Sequence, residues 1–95
     1  MNEKLLDTKK QLIDKLKNTE DSLANIRKDI KTKESELWLN TKFKEVGCTN
    51  EETRRAYVNN NLSDLKFNEN LIRNEVNKLK RELNLVDDKI RLFTF

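Results

Sequence analysis

The sequence predicts an all-α protein: an antiparallel two-helix coiled-coil hairpin that dimerises into a four-helix bundle. Three observations predict it. Charged residues make up 39% of the chain and hydrophobic ones 35%, a balance typical of long helices and too polar for a thick globular core. There is no proline to interrupt an i to i−4 hydrogen-bond ladder, and Gly47 is the only glycine. The apolar residues recur in alternating steps of four and three, which is the period of a coiled-coil seam and not of a strand.

Residues 1–95 are expected to form one hairpin domain. Helix one is expected over about 3–46. Its seam runs through Leu5, Lys9, Leu12, Leu16, Thr19, Leu23, Ile26, Ile30, Lys33 and Leu37. Gly47 would end it, because glycine takes the left-handed conformation of a helix-terminating residue without a Cβ clash. A turn at 47–49 follows. Thr49-Asn50-Glu51-Glu52 then reads as a capping box: the Thr49 hydroxyl accepts from the Glu52 N–H, and the Glu52 carboxylate accepts from the Thr49 N–H. Helix two is expected over about 50–93. Its seam is Val58, Leu62, Leu65, Glu69, Ile72, Val76, Leu79, Leu83, Val86, Ile90 and Phe93, broken only by Glu69. Asn40-Thr41 and Asn59-Asn60-Asn61 are poor helix formers and would loosen either arm near the bend.

The two seams fit one register. When the chain folds back so that paired residue numbers sum to 95, Leu5 meets Ile90, Leu12 meets Leu83, Leu16 meets Leu79, Leu23 meets Ile72, Ile30 meets Leu65 and Leu37 meets Val58. The layers extend outward to Asn2 with Phe93, and the midpoint falls between Gly47 and Cys48. The polar seam residues avoid one another: Lys9 meets Val86, Thr19 meets Val76, Lys33 meets Leu62, and Glu69 meets Ile26. Each long polar side chain can then lay its stem on an apolar partner and bring its charge to water. Asp29–Lys33, Glu51–Arg55, Glu69–Arg73 and Asp87–Arg91 are expected as helix-surface ion pairs.

A second apolar set lies off the seam. It includes Leu6, Ile13, Phe67, Leu71, Leu85 and Leu92, together with Ala24, Trp38, Leu39 and Phe43. Leu71, Leu85 and Leu92 share one heptad position. A hairpin buries only one stripe per helix, and apolar surface of this extent marks association. A homodimer built on Leu6, Ile13, Phe67, Leu71, Leu85 and Leu92 is the expectation, with a partner-docking face as the competing explanation.

Several function classes are excluded at this stage. The chain has no histidine and one cysteine, which removes Ser-His-Asp and Cys-His catalysis and a structural zinc site. No glycine-rich loop is present to cradle a phosphate. No catalytic residue, metal or cofactor is therefore expected. Cys48 lacks an evident activating neighbour and reads as a small side chain in the turn. No apolar run is long enough to span a bilayer, the first residues lack the apolar core of a signal peptide, and Asn2 stands where myristoylation needs glycine. The expected setting is the cytoplasm, without membrane attachment. Twenty basic residues against seventeen acidic ones, interspersed, argue only weakly for nucleic acid.

The bend is the one passage of different character. Trp38, Phe43, Val46, Ala56 and Tyr57 cluster there in sequence beside Lys42, Lys44, Arg54 and Arg55, and three readings compete. The aromatics close the open end of the hairpin or pack at a dimer interface, with the cations solvated. Alternatively, Trp, Tyr and Arg form a hot-spot patch for a partner protein. In the third reading the aromatics stack bases while the cations neutralise phosphates, although Glu45, Glu51 and Glu52 dilute the positive potential that this requires.

The stretch from Phe43 to Val58, FKEVGCTNEETRRAYV, resembles the middle of short, two-helix, Lys/Asn-rich accessory proteins of phages and prophages of low-GC Gram-positive bacteria. In these a "TNE..R.AY"-like segment joins two coiled-coil arms. The resemblance implies that Asn50, Arg54, Ala56 and Tyr57 belong to a shared motif. It also implies a non-catalytic inhibitor that sterically blocks a host protein, such as a CRISPR effector or a nuclease, from the cytoplasm of the host cell. The alternatives are a nucleic-acid-binding accessory protein of phage recombination or replication, and a purely structural assembly element.

Overall fold

The computed structural model describes residues 2–94, with side chains from Glu3 to Phe93. It contains two α-helices, α1 (Asn2–Asn40) and α2 (Glu51–Thr94), joined by residues 41–50. They fold back on one another as the predicted antiparallel hairpin. Contacts group into two units, each built from a segment of both helices. A terminal unit comprises the residues up to Leu23 with those from Leu71 onward, and a bend unit comprises Ala24–Asn70.

The seam is where the spacing puts it. In the terminal unit Leu23, Val76, Leu79 and Val86 are buried, and Leu5, Leu12, Leu16, Ile72, Leu83 and Ile90 are half-buried. In the bend unit Ile30, Val58 and Leu62 are buried, with Leu62 at 0% exposure, while Ile26, Leu37 and Leu65 are half-buried. Two seam positions differ from expectation: Lys33 and Phe93 are exposed. The outermost predicted layer, Asn2 with Phe93, falls partly outside the described side chains.

Two cross-helix ion pairs fix the register in each unit separately. Lys9 Nζ lies 2.8 Å from Asp87 Oδ1, and Arg27 Nε lies 3.6 Å from Glu69 Oε2. In both, the charged seam residue pairs with the residue just after the apolar partner assigned to it, Asp87 after Val86 and Arg27 after Ile26. The stem of each polar side chain can thus lie in the seam while its charge meets an opposite charge at the edge. Glu69 and Asp87 thus make pairs across the hairpin that spacing along one helix does not predict. Among the expected surface pairs, Glu51–Arg55 forms, at 3.0 Å. Pairs this exposed contribute about 0–1 kcal/mol each, so they set alignment more than stability.

The principal departure is the end of helix one. α1 stops at Asn40 and not near 46. Its last bond is Thr41 N–H to Leu37 C=O at 3.2 Å, at the Asn-Thr pair of low helix propensity. A separate turn then forms, in which the Glu45 N–H donates to Lys42 C=O, the Gly47 N–H to Lys44 C=O, and the Cys48 N–H to Phe43 C=O. The last two are the paired bonds of a Schellman motif, with Gly47 in its left-handed position at φ 80°. Gly47 does the job assigned to it, but on this short turn and not on the long helix. A Cβ added there would meet nothing within 4 Å, so the cost of a side chain is conformational alone. Gly47→Ala is expected to lower unfolding stability by about 1–2 kcal/mol, and Gly47→Asn by less. Urea denaturation of the three proteins checks this.

The cap of α2 is also displaced by one residue. Asn50, not Thr49, is the N-cap: its Oδ1 accepts from the Thr53 N–H at 2.8 Å, and Thr53 Oγ1 lies 3.3 Å from the Asn50 N–H that donates to it. The reciprocal pair is thus Asn50–Thr53 in place of Thr49–Glu52. Asn is as strong an N-cap as any residue, and the shift leaves Glu51 and Glu52 together in the first turn, at the positive end of the helix dipole.

Candidate functional site

Ending α1 at Asn40 decides the structure of the bend. A helix continued to 46 would carry Phe43 well around from the Leu37 seam position. The break lets Phe43 turn inward instead. Its ring centroid lies 5.5 Å from that of Trp38 and 6.1 Å from that of Tyr57, which it meets nearly edge to face at 82°. The Arg54 guanidinium carbon sits 5.8 Å from the Phe43 centroid, within cation–π range. Arg54 Nε is buried without a hydrogen-bond acceptor, so the aromatic face supplies the main compensation for its desolvation.

The structure therefore divides the residues singled out in this region. Phe43, Arg54 and Tyr57 are half-buried and form an internal cluster that closes the end of the hairpin. Lys42, Lys44 and Arg55 are exposed, with Arg55 held by Glu51. Trp38 belongs to both groups: its ring packs on Phe43, yet 38% of the residue remains exposed. Leu39 and Val46 are exposed at 83% and 46%, and Leu39 is the most open of the large apolar side chains described. Leu39 belongs to the apolar set that lies off the seam, and Val46 to the apolar residues beside the bend.

Cys48 is buried, and its thiol sits 3.9 Å from Val46 C=O. It occupies the residue after Gly47 in the Schellman motif, a packing position. Among the described residues, no group of three or more His, Cys, Asp or Glu side chains converges as a metal site would require. No described helix is long and apolar enough to cross a membrane. The surface depressions are open grooves. One runs beside the start of α2 along Glu51, Arg55 and Asn59, and another lies beside the end of α1 along Lys33, Leu37 and Thr41.

The six residues expected to form one oligomer face do not share one. Leu6 and Ile13 each follow a seam residue, Leu5 and Leu12, whereas Leu71, Leu85 and Leu92 each precede one, Ile72, Val86 and Phe93. At about 100° per residue these offsets point to opposite flanks of an antiparallel pair. The contacts of the terminal unit agree with that. Asp87, which also follows its seam residue, reaches Lys9 on the flank of Leu6 and Ile13. Leu71 lines a groove with Asn18 and Ser22 on the other flank. Phe67, in the bend unit, sits at the helix position opposite the seam and is 63% exposed.

No protein-family model, curated protein or solved structure matches this chain.

Proposed function

We propose that the chain is a non-catalytic protein-binding module that docks through the exposed apolar side chains of its bend unit, Trp38 foremost. The observation that carries this reading is the state of Trp38: clamped against Phe43, yet more than a third open to solvent. An aromatic ring already immobilised in the free protein loses little further entropy on binding, and Trp is among the commonest interface hot spots. Leu39 and Val46 add apolar surface, and Lys42 and Lys44 supply charge. The matching partner is a protein with an apolar cleft and an acidic rim. The resemblance of the Phe43–Val58 stretch to phage accessory proteins suggests the partner class to try first: a host nuclease or CRISPR effector, obstructed sterically.

Nucleic-acid binding is less well supported. Arg54 is taken up by Phe43 and Arg55 by Glu51, so two of the cations expected to neutralise phosphates are already engaged.

A photo-crosslinking residue in place of Leu39 identifies the partner, and calorimetry on the purified pair tests the contact. Trp38→Ala is expected to weaken binding by about 2 kcal/mol, roughly thirtyfold, with Lys42→Ala changing it much less. Equal affinity of wild type and Trp38→Ala would overturn the reading. Steep loss of binding to a nucleic acid with added salt would favour the alternative.

A further inference from the structure

We propose that the terminal unit binds a second copy of this chain through the Leu71–Leu85–Leu92 stripe of α2, with the two α2 segments antiparallel. These leucines are 53%, 61% and 77% exposed. They stand at whole-heptad spacing, with Lys78 filling the remaining place. The stripe is thus a nearly straight line along the helix, roughly 32 Å long.

Turned end for end, this line matches itself. Leu71 comes opposite Leu92 of the other copy, and Lys78 opposite Leu85. Polar does not meet polar, the same rule that governs the intramolecular seam, and the lysine stem again lies on a leucine. A two-fold interface requires this self-complementarity, because the same patch serves both sides. The charges on the flank nearest α1 follow the same reversal. Glu75 comes opposite Lys89 of the other copy, a pair the two-fold repeats, while Glu82 approaches Glu82 of the other copy near the axis, with that copy's Lys78 within one turn of it. On the outer flank Asn74 faces Asp88, and Arg81 approaches its own copy near the two-fold axis, a second like-charge encounter that sits beside the first.

The contact lies about 130° around α2 from its own seam. The paired terminal units therefore make an open layer of four helices, not the four-helix bundle expected from the off-seam apolar residues. Leu6 and Ile13, on the other flank, take no part.

The test uses the full chain with Cys48→Ala, so that only introduced thiols react. Leu71→Cys mixed with Leu92→Cys is expected to crosslink under mild oxidation far more efficiently than either variant alone. In sedimentation equilibrium the wild-type mass is expected to rise from 11.3 kDa towards twice that value with concentration. Leu85→Arg should hold it at the monomer mass with an unchanged helical spectrum. Glu75→Lys should weaken association about tenfold, and the double variant Glu75→Lys/Lys89→Glu should recover it. A monomer throughout the concentration series, preferential crosslinking of Leu71→Cys with itself, or a double variant as weak as Glu75→Lys alone would each overturn the proposal. None of these variants touches Trp38, so failure here leaves the docking reading standing, and the reverse holds as well.

Discussion

Leu62→Ala is expected to lower the unfolding free energy by about 2–5 kcal/mol. Leu62 is fully buried, one turn from Val58, which is 2% exposed. Its assigned partner across the seam is Lys33, whose side chain is exposed, so the opposing position offers no apolar side chain to fill a cavity. Removing the isobutyl group deletes transfer free energy and leaves a void that a pair of stiff helices closes poorly. Leu92→Ala removes the same atoms from a residue that is 77% exposed, and should change stability by less than about 0.5 kcal/mol. Urea denaturation of both, at concentrations low enough to keep the chains apart, makes the comparison. Equal midpoints for the two variants would mean that the seam is not where the hairpin is held.

Phe43→Ala should have the second large effect, about 2 kcal/mol, because one ring supports three neighbours. Removing it strips Trp38 and Tyr57 of their aromatic contacts and leaves the Arg54 guanidinium desolvated without its π face. The figure is set below the loss for a fully buried phenylalanine, since Phe43 is only half-buried. Trp38 is the only tryptophan, so its fluorescence reports the change directly: emission should move to longer wavelength as the ring becomes wetter. Phe43→Leu, which keeps most of the volume but not the ring, should fall between. Unchanged emission in Phe43→Ala would show that Trp38 is held by something else, and the preorganised anchor would lose its basis.

The hairpin and its register were legible because they are encoded by period. A seam of alternating fours and threes has few ways to bury itself, and the avoidance of polar pairs selects one of them. What period does not encode was missed. Helix one's end depends on competition between one more turn of α-helix and the burial of Phe43 against Trp38 and Tyr57, a tertiary preference that the weak helix propensity of Asn40-Thr41 hints at but does not decide. The cap moved from Thr49 to Asn50 because both are good N-caps and only the backbone path chooses between them. The cross-helix pairs of Glu69 and Asp87 were missed, since spacing within a helix is visible in a sequence while the reach across a groove is not. In the candidate site, the residue types at the bend were legible and their division into cluster and surface was not. The split of the off-seam leucines between two flanks was latent in their offsets from the seam, but it becomes a statement about faces only when the partner helix is in place.

The antiparallel register carries a consequence for the order in which the chain assembles. Partners near the bend are close in sequence and partners near the chain ends are remote, with separation growing from about twenty residues at Leu37–Val58 to about eighty-five at Leu5–Ile90. Entropy of loop closure therefore favours the layers around Val58 and Leu62 as the nucleus. Each layer formed then shortens the effective loop of the next, so that folding propagates outward like a zipper. The layers closed last are also those that open first, so the segment around Leu5 and Ile90 should fray while Val58 and Leu62 remain packed.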